Sequence, residues 1–123
     1  SERRTRDEIA RRIGLRGPVL LSWLRTLNYV RNVCAHHARL WNRELATRPV
    51  LPGEKNDPRW HGSRAVSPRR IFVVLTLLNR LLLVVAPQSG WRDRLFKLFD
   101  RFPEIPLKPM GIPADWRTHD LWK

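Results

Sequence analysis

Acidic residues are scarce in this chain: 11 Asp plus Glu stand against 24 Lys plus Arg, a formal charge of +13 over 123 residues. That imbalance favours a polyanionic partner before any motif is read. A single cysteine, Cys34, excludes an internal disulfide and suits a reducing cytosol, so a cytoplasmic location is expected. No apolar run approaches the ~20 residues needed to cross a bilayer. The candidate stretch, Ile71 to Val85, is shorter and carries Arg80, which predicts a buried central helix and no membrane partner. Strand-like alternation, internal repeats, a glycine-rich phosphate loop and a paired-carboxylate site are all missing. What remains is an all-α domain small enough for one modest core.

The stretch that organises the chain lies between Pro18 and Arg43. Leu20, Leu24, Leu27, Arg31, Cys34, Ala38, Trp41 and Leu45 fall on one helical seam, with Cys34 a small core residue. Arg31 is the misfit on that seam, because a guanidinium is rarely buried without an acid, a phosphate or a carbonyl. The opposite face collects Arg25, Tyr29, Asn32, His36, Arg39 and Arg43, a wet and basic surface. Asn32 stands one turn before His36 and can orient its imidazole. A fixed cation beside a titratable histidine suits phosphoryl chemistry. On one straight helix, however, Arg31 and His36 point about 140° apart. The helix must therefore bend or end near the motif, or two copies must meet. His37 sits near the seam edge as a packing or supporting residue.

Arg31-Asn32-Val33-Cys34-Ala35-His36 resembles the Arg, polar residue, then His signature of the HEPN superfamily, which includes metal-independent endoribonucleases and toxins. The longer run from Trp23 to Arg43 resembles the Abi family of phage abortive-infection proteins, as does the closing segment Met110 to Trp116 through Trp122. The resemblance implies a HEPN-like helical bundle that cleaves RNA without metal or other cofactor. In this reading Arg31, Asn32 and His36 are catalytic, Arg25, Arg39 and Arg43 hold the RNA, and Tyr29 and His37 support the site. It also implies a homodimer with a composite site, and an antitoxin as a further partner. Ser1 in place of an initiating Met sets the expectation that the chain is the C-terminal part of a longer protein. Two other classes fit the same residues: a non-catalytic RNA-binding or sensor module, and a structural or dimerisation domain in which Arg31 and Asn32 form a buried polar clasp that fixes helix register or a dimer interface.

The remaining chain reads as a single domain, residues 1–123, with an irregular loop over 46–66 and an extended proline-rich tail over 103–123. Thr5-Arg6-Asp7-Glu8 is a capping box opening a helix that Gly14 ends. Asp7 to Leu15 also matches the start of a helix-turn-helix, but the helix after it is too apolar and aromatic for DNA recognition. In the loop, Arg48, Lys55, Arg59, Trp60, His61 and Arg64 mix cations with an aromatic. They either hold single-stranded RNA or form a surface pinned to the core by Trp60. Ser67-Pro68 predicts the start of the apolar helix. A further helix sets Trp91, Leu95, Leu98, Phe99 and Phe102 on one face, with Asp93 paired to Lys97. Leu107, Met110, Ile112, Trp116, Leu121 and Trp122 then anchor the tail, with a short helical turn after Pro113. A zinc site built from Cys34, His36, His37, His61 and His119 lacks paired-ligand spacing.

Overall fold

The computed structural model describes residues 1–35 and 40–123. Among them are four α-helices, α1 (Glu2–Ile13), α2 (Gly17–Ala35), α3 (Ile71–Val85) and α4 (Trp91–Arg101), and no strand. The all-α reading holds.

Local chemistry sets most of the helix ends. Ser1, and not Thr5, caps α1: its hydroxyl accepts from the Arg4 N–H at 3.2 Å, so the helix begins one turn earlier than the capping box suggests. Gly14 closes α1 in the left-handed region at φ 77°, and the Leu15 N–H reaches back to the Ala10 carbonyl at 2.8 Å. Pro18 lies in the first turn of α2, where its missing N–H costs nothing. Ser67-Pro68 forms a turn, with the Arg69 N–H on the Ser67 hydroxyl, and α3 starts only at Ile71.

α3 is the centre. It packs on α1, α2 and α4, and buries Phe72, Val73, Val74, Leu77 and Leu81. Its two buried polar residues, Thr76 and Asn79, break the apolar run for a reason the sequence does not disclose. Thr76 receives the Trp122 indole N–H at 3.0 Å, and Asn79 donates its amide to the Leu121 carbonyl at 3.2 Å. The C-terminal residues are thus hydrogen-bonded into the core. Trp116 and Trp122 meet edge to face at 4.8 Å, and Phe72, Phe96 and Phe99 surround them.

The tail is not an extended ribbon. Residues 103–123 fold as successive turns, with short 3₁₀ helices at Lys108–Met110 and Trp116–Thr118. The second of these is the turn expected after Pro113. Ile112, Trp116, Leu121 and Trp122 are buried anchors, while Leu107 and Met110 are partly covered. On α4, Phe99 is buried, but Leu98 and Phe102 are exposed and Phe96 packs inward in their place. Asp93 lies beside Arg92 at 3.9 Å, where the helical spacing suggests Lys97 as its partner.

Gly111 marks the closest approach of the tail to the helix entry. It has φ 75°, and a Cβ there would stand 2.6 Å from Cβ of Arg70. Gly111→Ala is expected to cost about 2 kcal/mol or more, combining backbone strain with a forced displacement. A urea melt against the parent checks it.

Candidate functional site

The register of α2 decides what its motif can do. The buried side runs through Leu20, Trp23 and Thr26, with Leu27, Val30 and Val33 partly covered. Leu24, Arg31 and Cys34 are exposed, so the expected seam is displaced around the helix. The cause is Trp23, whose large ring is buried against Trp60 at 5.5 Å and whose indole N–H reaches the Val50 carbonyl at 2.8 Å. Turning that ring inward turns Leu24 toward an apolar groove that it lines with Ile9, Leu78 and Val85. Cys34 is therefore not a core residue. Arg31 is not a buried misfit either.

Arg31 and Asn32 stand in the last described turn of α2, both exposed, and neither makes a side-chain hydrogen bond or ion pair among the described residues. That exposure overturns a polar clasp buried within one chain. Arg25 is exposed on the same helix. His36, His37 and Arg39 lie outside the described residues, as does Ala38 of the expected seam.

The chain beyond them does not continue α2. Trp41 and Asn42 form a turn and Arg43 a bend, so Arg43 is not on a helix shared with Arg25, and Trp41 and Leu45 are not members of a helical seam. Leu40 and Leu45 are both buried and pin this turn to the core. The chain then runs back along α2. The Ala46 N–H donates to the Tyr29 hydroxyl at 3.2 Å, and the Val50 N–H donates to the Ser22 hydroxyl at 2.8 Å. Tyr29 therefore positions the returning segment.

That return assembles a cationic corner the sequence did not suggest. The Leu45 N–H donates to the Arg69 carbonyl at 2.7 Å, which draws the entry of α3 against residues 42–45. Arg70 donates to the Asn42 carbonyl at 3.3 Å. Glu44 lies 3.5 Å from Arg48 and 3.9 Å from Arg69, one acid among several guanidinium groups. These contacts between residues 42–45 and 69–70, which no spacing rule predicts, reveal Arg69 and Arg70.

The 46–66 loop is a pinned structure. Trp60 is 1 % exposed, so it is a core residue and has no face for a base. Two of the loop's cations are engaged too. Arg64 binds the Thr118 and Asp115 carbonyls, and Arg59 grips the Asp57 carboxylate through Nε and Nη2 at 2.8 and 2.7 Å. The side-chain bonds from Arg59 hold the Asp57 carboxyl below its ordinary value of 3.8, against the opposing effect of burial, with the Trp60 indole N–H adding a further bond. Arg80, half-buried in α3, is pushed below the usual arginine range first by burial and next by the charge of Arg59, with Asp57 opposing.

A carboxyl depressed in the folded state stabilises the fold above its unfolded value. That contribution is complete above about pH 4 and is lost as pH falls through the lower folded value. Asp57→Asn is therefore expected to remove about 1–2 kcal/mol at neutral pH and to flatten the acid limb of the stability curve below pH 4. Urea melts of both proteins across pH 2–7 measure it.

The two remaining histidines are structural. The His61 Nε2 lies 2.6 Å from the Pro52 carbonyl. His119 is buried, accepts the Leu121 N–H at Nδ1 and so donates from Nε2 to the Arg64 carbonyl at 2.7 Å. Both are spoken for by the backbone. Among the described residues no three His, Cys, Asp or Glu side chains gather as a metal-ligand set.

The exposed Arg31-Asn32 turn of α2 lies in a segment that is similar to a known family. Residues 1–42 match the family of Abi-like proteins. The match covers about a third of the chain and makes this segment similar to Abi-like proteins. The Abi-like segment spans α1, α2, the motif and the turn through Trp41 and Asn42, while the C-terminal resemblance from Met110 to Trp122 falls outside it. Neither the curated proteins nor the solved structures contain a match to the chain. No helix of the described residues is long and apolar enough to cross a membrane.

Proposed function

We propose that this domain is a metal-independent endoribonuclease of HEPN type acting in phage defence. The observation that carries the reading is the solvent-facing placement of Arg31 and Asn32 at the end of α2, inside the Abi-like segment and unpaired among the described residues. An exposed charged group without a partner among the described residues, in a molecule of charge +13, is available to a polyanion.

In the proposed reaction the ribose 2′-oxygen attacks the adjacent phosphorus while His36 moves protons. The 2′-hydroxyl loses its proton, the P–O5′ bond breaks, and the leaving oxygen gains a proton. The products are a 2′,3′-cyclic phosphate and a 5′-hydroxyl end. Arg31 stabilises the charge on the equatorial oxygens of the phosphorane, and Asn32 orients the imidazole. Arg25, Arg39 and Arg43 hold the flanking backbone, and His37 supports the site. A second copy supplies the facing half of a composite site, which answers the angular separation of Arg31 and His36 on one helix. An antitoxin is a further proposed partner, and the cytoplasm the proposed compartment.

The test is end-labelled single-stranded RNA incubated in EDTA with the parent, Arg31→Ala and His36→Ala proteins, each shown to be folded. Cleavage by the parent that both substitutions abolish is the expected result. RNA that is bound with strong salt dependence but left whole by the parent would replace the nuclease with a binding or sensor module.

A further inference from the structure

Five of the six tryptophans are committed to the fold. Trp23, Trp60, Trp116 and Trp122 are at most 2 % exposed, and Trp91 stacks on Trp122 with ring centres 6.2 Å apart. Trp41 is 40 % exposed and has no aromatic partner among the described residues. Its neighbours hold it in place. Leu40 before it and Leu45 after it are buried, the Arg43 N–H closes the turn onto the Leu40 carbonyl at 3.4 Å, and Arg70 clamps the Asn42 carbonyl. Gly111, packed on the Arg70 stem, keeps that arginine in place. An indole is thus presented to solvent on a turn fixed at both ends.

The surroundings identify what it meets. A protein-docking aromatic sits at the centre of an apolar patch. Trp41 is flanked in sequence by Asn42 and exposed Arg43, and the same corner holds exposed Arg69 and half-buried Arg70. Cations on the same corner as an exposed ring, outnumbering the one acid there, Glu44, are an arrangement that takes a single-stranded nucleic acid, the ring stacking a base while the guanidinium groups hold phosphates. We propose that Trp41 is a stacking platform for an unpaired base of single-stranded RNA, whose flanking phosphates are held by Arg43, Arg69 and Arg70. The proposal rests on the reading of RNA as the substrate and adds that the bound strand is unpaired at this turn.

The test uses a short unstructured 2′-O-methyl RNA, which binds but cannot undergo 2′-oxygen attack, with tryptophan emission as the readout. The parent should show saturable quenching of its exposed tryptophan by the single strand, and much weaker quenching by the same sequence in a duplex. Trp41→Leu should abolish the quenching and weaken binding about fivefold to a hundredfold, whereas Trp41→Phe should keep most of the affinity. Arg69→Gln with Arg70→Gln should lower the slope of log affinity against log salt. Binding with normal salt dependence but the same affinity and quenching in Trp41→Leu would overturn the platform and leave RNA as the ligand. A parent that binds no RNA at all would overturn both. If a variant fails to fold, the unaltered protein still decides: equal quenching by single strand and duplex would overturn the stacked, unpaired base.

Discussion

Replacing Arg31 with alanine is expected to slow RNA cleavage by about a hundredfold to a thousandfold, the size seen when one charge-stabilising donor is removed from a reacting oxyanion. Arg31→Lys should recover only part of that, because an ammonium keeps the charge but loses the planar fork that engages two phosphate oxygens. His36→Ala should cost a comparable or larger factor by removing the group that moves both protons. The decisive companion measurement is thermal stability. Arg31 is exposed and unpaired among the described residues, so its removal should change stability by no more than about 0.5 kcal/mol. Loss of cleavage with an unchanged melt separates a catalytic arginine from a structural one. A drop of several degrees on Arg31→Ala would instead return it to an architectural role.

The largest effect on stability is expected at the other end of the chain. Trp122 is 1 % exposed, lies 4.8 Å from Trp116 and 6.1 Å from Phe72, and donates its indole N–H to the buried Thr76 hydroxyl. Trp122→Ala removes the ring and the bond together and should cost about 3–5 kcal/mol. A domain of this size has only about 5–15 kcal/mol in total, so the variant should be partly unfolded near body temperature. Trp122→Phe keeps most of the apolar contact but loses the hydrogen bond to Thr76, and should fall between the two. Urea denaturation of the three proteins gives the ordering. A small loss in Trp122→Ala would mean that the C-terminal turns are a surface attachment and not part of the core.

These two predictions divide the molecule. The Abi-like segment carries the proposed chemistry, while the last residues of the chain complete the core that holds α3 and α4 together. Arg92 reinforces that arrangement by donating from α4 to the Trp122 carbonyl at 3.2 Å. A truncation that spares the motif but removes the tail would therefore be expected to lose activity through unfolding.

Helix identity was legible because period and punctuation agree: Gly14, Pro18 and the apolar run from Ile71 each mark an element found in the structure. The central position of α3 followed from its apolarity on nearly every side. The face of α2 was not legible. Two seams, one through Leu24 and Arg31 and the other through Trp23 and Val30, have similar apolar periodicity, and the choice fell to the contact of Trp23 with Trp60 and Val50, a partner far along the chain. The same slip made Arg31 look buried when it is exposed. Ser1 caps α1 in place of Thr5, its hydroxyl accepting the Arg4 N–H, and Thr5 lies inside the helix.

The candidate site was half legible. Arg31, Asn32 and Arg25 are close in sequence and could be named from it, whereas Arg69 and Arg70 join the corner through tertiary contacts, the Leu45–Arg69 backbone bond and the Arg70 bond to the Asn42 carbonyl. Proline counting suggested an extended tail, yet prolines also suit consecutive turns, and the burial of Ile112, Trp116 and Leu121 selects the turns. The loop aromatic Trp60 was ambiguous by composition alone and is settled by its burial.

The central claim is that the 2′-hydroxyl of the RNA is the nucleophile, and a single-atom change in the substrate tests it most directly. Once a cleavage position is mapped in EDTA, the same strand is made with one 2′-deoxy nucleotide on the 5′ side of that bond. The account predicts that cleavage at this position stops while other positions are cut as before, and that the all-ribose strand yields a 2′,3′-cyclic phosphate end there. Undiminished cleavage at the deoxy position would contradict it, because no attack by the neighbouring ribose oxygen would then be possible.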